Sequence, residues 1–146
     1  MAAGELMMNK KRVDRLIPYA YEVLKDLHIC EQEQNNPSNW VVDSTYKSYF
    51  SSFGAAVTMG SLISAAAFFA AAPEENKKRT NADRGKVGKA VLAVLKKENP
   101  AIKEESLYEY VRKHGQTAKT KELVLDTAVA LKLALNLYPK KPETVK

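Results

Sequence analysis

Residues 48–73 read SYFSSFGAAVTMGSLISAAAFFAAAP, with no Asp, Glu, Lys or Arg among them. The large apolar side chains of Tyr49, Phe50, Phe53, Val57, Met59, Leu62, Ile63, Phe68 and Phe69 point in every direction of a helical wheel. A helix that is apolar all round is buried, in a protein core or in lipid. Between them Gly54, Thr58, Ser61 and Ala65 recur at steps of three and four. That stripe of small side chains predicts the close approach of a neighbouring helix. The length suits a membrane span, but the composition weighs against one. Leu, Ile, Phe and Val each contribute only about −0.3 to −0.6 kcal/mol at the centre of a span. They are few here, and Gly54, Gly60 and the Ser and Thr hydroxyls act against insertion. The expectation is a long buried central helix, from about Trp40 to Ala71, with breaks near Asp43 or at Gly54 as the alternatives, and no membrane partner.

Working outward, the flanking segments read as helices that cover this element. Asn9 can cap a first helix whose Val13, Leu16, Ile17, Ala20, Leu24 and Leu27 share one face, ending near Cys30. Pro18 falls inside that pattern and predicts a kink, or a start near Leu16. Residues 31–39, EQEQNNPSN, are polar and rich in breakers, hence a loop. On the other side Thr80 or Asn81 caps a helix from Ala82 to about Glu98, with Val87, Ala90, Val91, Val94 and Leu95 inward. Ser106 and Glu109 form a capping box for a short helix with Leu107, Tyr110, Val111 and His114 inward, closed by Gly115. A last helix starts at Thr117 or Thr120 and ends near Leu137, with Leu123, Ala128, Leu131, Ala134, Leu135 and Tyr138 on its apolar face. No period-2 run and no Asn-Gly or Asp-Gly hairpin signal predicts a strand. The fold expected is all-α: one compact domain over residues 9–138, a bundle of five or six helices around the central one, with tails at 1–8 and 139–146. The core should include Leu24, Tyr49, Phe53, Val57, Leu62, Ile63, Phe68, Val91, Leu95 and Leu131.

The chain has 146 residues, enough for one sizeable core without staples. A single cysteine, Cys30, excludes an internal disulfide and suits a reducing, cytoplasmic setting. Signs of catalysis are poor. His28 and His114 are far apart in sequence, and His28, Cys30, Glu31 and Glu33 lack the spacing of a metal site. Gly85 and Gly88 have the spacing of the GxxG loop of some RNA-binding domains, but they fall inside a helix. No enzyme, cofactor or metal is expected.

Charge says more. Lys plus Arg number 23 against 17 Asp plus Glu, a formal net charge of +6, which suggests an anionic partner. Lys77, Lys78, Arg79, Arg84, Lys86, Lys89 and Lys96 cluster around the helix after Pro73. Lys86, Lys89 and Lys96 lie beside its apolar stripe, on a face that can follow a phosphate backbone without reading bases. Lys47 and Lys132, and with them Arg12 and Arg15, are further candidate contacts. A merely solvated lysine surface is the competing reading, and aromatic side chains for base stacking are not interleaved with the basic ones.

Residues 46–71, YKSYFSSFGAAVTMGSLISAAAFFAA, resemble the central-helix motif of the small-subunit family of the Cmr-type (type III-B) CRISPR RNA-silencing effector complex. The resemblance rests on Tyr49, Ser52, Phe53, Gly54 and Ala55, then Ala67 and Phe68. Residues 81–95, NADRGKVGKAVLAVL, are similar to the helix that follows in that family, at Asp83, Arg84 and Lys86. IPYAYEVLKD near the start and ALKLALNLY near the end match in kind. The resemblance implies a compact helical protein with no catalysis of its own. It implies partners too: further copies of itself stacked along a guide–target RNA duplex, and the backbone-forming and large subunits of the complex. A free-standing helical RNA- or DNA-binding protein is the alternative, and a small helical enzyme or membrane-associated protein ranks third.

Overall fold

A computed structural model describes residues 9–70 and 82–141. Six helices and one small hairpin occur among them: α1 (Lys10–Asp26), β1 (Cys30–Gln32), β2 (Trp40–Val42), α2 (Thr45–Met59), α3 (Leu62–Phe68), α4 (Gly85–Glu98), α5 (Leu107–His114) and α6 (Ala118–Leu135). The fold is all-α in character.

α1 begins where Asn9 Oδ1 accepts the Arg12 N–H at 3.0 Å. It runs unbroken past Pro18, which lies on the exposed side, and buries Val13, Leu16, Ala20, Val23 and Leu24. The helix stops earlier than the sequence pattern predicts. His28 takes a left-handed φ of 59°. The His28 N–H then reaches Lys25 O and the Ile29 N–H reaches Leu24 O, each at 3.0 Å. These paired bonds satisfy the last carbonyls of α1, and Leu24 and Ile29 are both buried beneath them.

The segment read as a polar loop, residues 31–39, is the end of β1 and the turn of a short antiparallel hairpin whose strands pair Cys30 with Val42, Glu31 with Val41 and Gln32 with Trp40. Three residues per strand are too few to show an alternating pattern. The bulky Trp40, Val41 and Val42 were the available sign, since such residues favour strands. The chain end returns to the same place: the Val42 N–H donates to Pro139 O at 2.9 Å and the Lys141 N–H to Val42 O at 2.7 Å.

The long central helix is two helices. It begins at Thr45 rather than Trp40, because Trp40–Val42 form β2, so the expected run does break near Asp43; a second break falls at Gly60 and Ser61, and none at Gly54. Gly60 N–H closes α2 on Ala56 O, and Ser61 starts α3 by accepting the Ser64 N–H at 3.1 Å. The restart changes the helical phase. α3 buries Leu62, Ala65 and Ala66, and Phe69 follows on the same side. Phe68, expected in the core, therefore points outward and is 56% exposed. Phe53 and Phe69 meet edge to face at 5.4 Å between ring centroids.

α4 starts at Gly85, three residues later than the expected Ala82, and Asp83 Oδ1 accepts the Gly85 N–H at 2.8 Å. Thr80 and Asn81, the expected caps, lie outside the described residues. α5 opens on Ser106, whose hydroxyl accepts the Glu109 N–H at 3.0 Å, and ends at Gly115 with φ 82°. Its His114, expected inward, is exposed. α6 opens on Thr117, which accepts the Thr120 N–H at 3.2 Å.

α6 packs against α1, α2 and α4, so the last helix, rather than the uncharged stretch, is the hub. Leu24, Phe53, Val57, Leu62, Val91, Leu95 and Leu131 are buried, while Tyr49 and Ile63 are half-buried against the same core. Asp126 is buried on α6 at 2% exposure, held by Arg12 Nη1 at 2.9 Å and capped by the Asn9 N–H at 3.4 Å. Burial pushes its carboxyl above the usual range even so.

Candidate functional site

The candidate cations divide into those engaged within the fold and those facing outward alone. Arg84 is engaged. Its Nε donates to Phe68 O at 3.2 Å, and its guanidinium lies 4.0 Å from the centre of the Phe68 ring. It thus closes the C-terminal end of α3, and the outward turn of Phe68 is what gives it a ring to stack on. Lys86 Nζ reaches His28 O at 3.4 Å, tying α4 to the end of α1. Arg12 holds Asp126, and Arg15 Nε meets Glu98 Oε2 at 2.8 Å. Lys97 bridges Glu22 and Asp26 at 3.3 and 3.9 Å. These side chains neutralise carboxylates and carbonyls of the chain itself, so they are poor anchors for an external phosphate.

Lys89 is exposed and Lys96 half-buried on the outer side of α4, and neither makes an ion pair among the described residues. With Lys86 they follow one side of the helix, as their spacing implies. Lys77, Lys78 and Arg79 lie outside the described residues.

Lys47 and Lys132 occupy the seam between α2 and α6. The two helices run antiparallel, so the start of α2 lies beside the end of α6. At that end Lys47, Ser44 and Asn136 line a hollow of about 250 Å³, into which the chain end also brings Lys140. Further along the seam an open groove of about 380 Å³ has Gly54, Ala55, Met59, Leu125 and Val129 as its apolar walls and Lys132 at its edge. The seam thus passes from charged, with Asp43 beside Lys47 and Lys140, to apolar along one face. Sequence reading passed over Lys140, Leu125 and Val129. The sign was in ALKLALNL, where large apolar residues fall on more than one side of the helix.

Among the described residues no arrangement resembles a reaction centre. Cys30 is fully buried between α1 and the hairpin, and burial pushes its thiol up to about 12. A thiol so shifted is no nucleophile at neutral pH. His28 is spent on a backbone turn, and His114 stacks beside Tyr110 at 4.3 Å with Glu104 Oε1 3.9 Å from its Nε2. Tyr46, pushed up to about 12 by burial, accepts the Asp83 N–H at 2.9 Å and so links α2 to α4. Among the described residues no group of three His, Cys, Asp or Glu is placed to hold a metal ion. Nor is any helix among them long and apolar enough to cross a membrane.

A family model described as CRISPR-associated protein (Cas_Cmr5) matches residues 19–137. No curated protein and no solved structure matches the chain. The matched span takes in the second half of α1, the hairpin and every helix from α2 to α6, so it covers nearly all of the packed core rather than one motif. The chain belongs to the Cmr5 family, the small subunits of type III-B CRISPR complexes.

Proposed function

We propose that the chain is a non-catalytic, cytoplasmic subunit of a type III-B RNA-silencing complex, where copies of it stack along the guide–target duplex and bridge the backbone-forming and large subunits in antiviral defence. The observation that carries this reading is the family match across residues 19–137, most of the helical core. The surface supports it. Lys89 and Lys96 on α4, and Lys47 and Lys132 at the α2–α6 seam, make no ion pair among the described residues, which suits contact with a phosphate backbone or an acidic subunit. Residues 9–138 act as the single helical domain of this reading, with 1–8 and 139–146 as tails, the second anchored through Pro139 and Lys141 to β2.

The test is reconstitution of the complex with Lys89→Glu/Lys96→Glu and, separately, Lys47→Glu/Lys132→Glu. Both pairs lie off the core, so folding is expected to survive. If a pair meets RNA, the complex assembles but the affinity for target RNA depends less steeply on salt, by roughly one slope unit per lost phosphate contact. If it meets an acidic subunit, assembly fails. Normal assembly with an unchanged slope for both pairs removes these lysines from the interface. The purified chain is expected to cleave no RNA with or without divalent metal. Cleavage that co-elutes with it and disappears in His114→Ala overturns the non-catalytic reading.

A further inference from the structure

α6 is apolar on two sides. Its inner side supplies Ala128, Leu131 and Leu135 to the core. Its outer side carries Leu125, Val129 and Leu133 at steps of four, and Leu137 continues the row. Leu125 and Val129 are half-buried, Leu133 is 44% exposed and Leu137 60%. A helix with apolar residues all round belongs in an interior, yet this row faces outward. Beside it α2 offers room. No atom lies within 4 Å of the place a Cβ on Gly54 would take, and Met59 at the end of α2 is 86% exposed. The seam has space for one more helix.

We propose that this helix is α6 of a second copy, packed antiparallel about a two-fold axis through Val129. The row is self-complementary in that register. Leu125 of one copy meets Leu133 of the other, and Val129 meets itself. The charges agree. Between residues 122 and 136 the charged residues of α6 are Glu122, Lys132 and Asp126, the last buried on Arg12. Antiparallel packing sets Glu122 of each copy opposite Asn136 of the other and one turn from its Lys132, about 6 Å along the axis. Two unlike pairs result, whereas parallel packing would set Lys132 against Lys132 and Glu122 against Glu122. The small Ser51, Gly54 and Ala55 let the incoming helix lean on α2. Such a contact is isologous and closes at two. It therefore does not build the open stack of copies along RNA, and it concerns the free subunit independently of that reading.

The test uses the full chain. Val129→Cys, mildly oxidised, is expected to form a disulfide-linked dimer, because the two-fold axis sets that position against itself. Cys30 is buried and does not compete, and Lys89→Cys on α4 serves as the control. The parent chain should sediment as a dimer over the micromolar range. Lys132→Glu, which brings like charges together, should weaken the dimer severalfold, and Glu122→Lys in the same chain should restore it. Leu133→Asp should give a folded monomer with the parent's helical signal, whose melting, unlike the parent's, does not depend on concentration. A parent that stays monomeric, a Val129→Cys chain that links no faster than the control, or a charge reversal without rescue overturns the proposal. Entry of such a failing chain into the reconstituted complex leaves the proposed function standing and assigns the α6 row to another subunit.

Discussion

Two glycines in the middle of helices do opposite work. At Gly88 of α4 an added Cβ would lie 2.7 Å from the carbonyl oxygen of Phe69, so the end of α3 rests on bare α4 backbone. At Gly54 of α2 an added Cβ meets nothing within 4 Å. The sequence draws attention to Gly54, because it stands in a visible stripe of small residues. The close approach is made at Gly88, which stands among lysines. A small residue marks where contact can occur; only the partner's position decides whether the fold uses it. The α3–α4 junction is closed by the chain itself, and the α2–α6 seam is left open.

The strongest attack on this contrast is Phe69→Ala. Phe69 is 2% exposed and packs on Phe53, so truncation should cost about 3 to 5 kcal/mol through lost transfer energy and a cavity. Phe68→Ala, one residue away, should cost no more than about 1 kcal/mol, the value of its contact with Arg84. Chemical denaturation of the two variants reads the difference, and equal losses would mean that the phase of α3 is wrong. Next in size is Gly88→Ala. Better helix propensity favours it by about 1 kcal/mol, but overpacking against a carbonyl should outweigh this and leave a net loss of about 1 to 2 kcal/mol. Gly54→Ala sharpens the comparison from the other side. With open space and an ordinary helical backbone it should stabilise by about 0.5 to 1 kcal/mol. A destabilised Gly54→Ala together with a neutral Gly88→Ala would exchange the roles of the two regions. The smallest effect is expected at Leu133, where replacement by Asp should change the stability of the single folded chain by less than about 0.5 kcal/mol.

The helices at Lys10–Asp26, Leu107–His114 and Ala118–Leu135 were legible because local chemistry sets them: Asn9, Ser106 and Thr117 each place a side-chain oxygen on an N–H three residues on. What was not legible depends on tertiary partners or on small changes of phase. The uncharged run has no composition change at Gly60, so the break there is invisible, and with it the outward turn of Phe68. The hairpin is too short for its period. Arg84 and Arg12 look like anion contacts in a list of basic residues, and only the fold reveals that one closes a helix on Phe68 O and the other neutralises a buried Asp126. The candidate surface was half legible. The outer face of α4 follows from spacing alone, whereas the seam joins residues that are about ninety apart in the sequence, such as Lys47 and Asn136.

The burial of Cys30 gives the chain a built-in clock. A thiol that is fully enclosed and pushed up to about 12 does not react with an alkylating reagent at mildly alkaline pH while the hairpin stays paired and α1 stays in place. Each labelling event must therefore wait for that corner to open. When closing is faster than alkylation, the labelling rate relative to a free thiol is the fraction of time the corner stands open. The one cysteine, which offers neither a disulfide nor a nucleophile, so reports the local breathing of the α1–hairpin corner without any residue being replaced. Because that corner also receives the chain end at Val42, the same rate registers whether the end is attached or released.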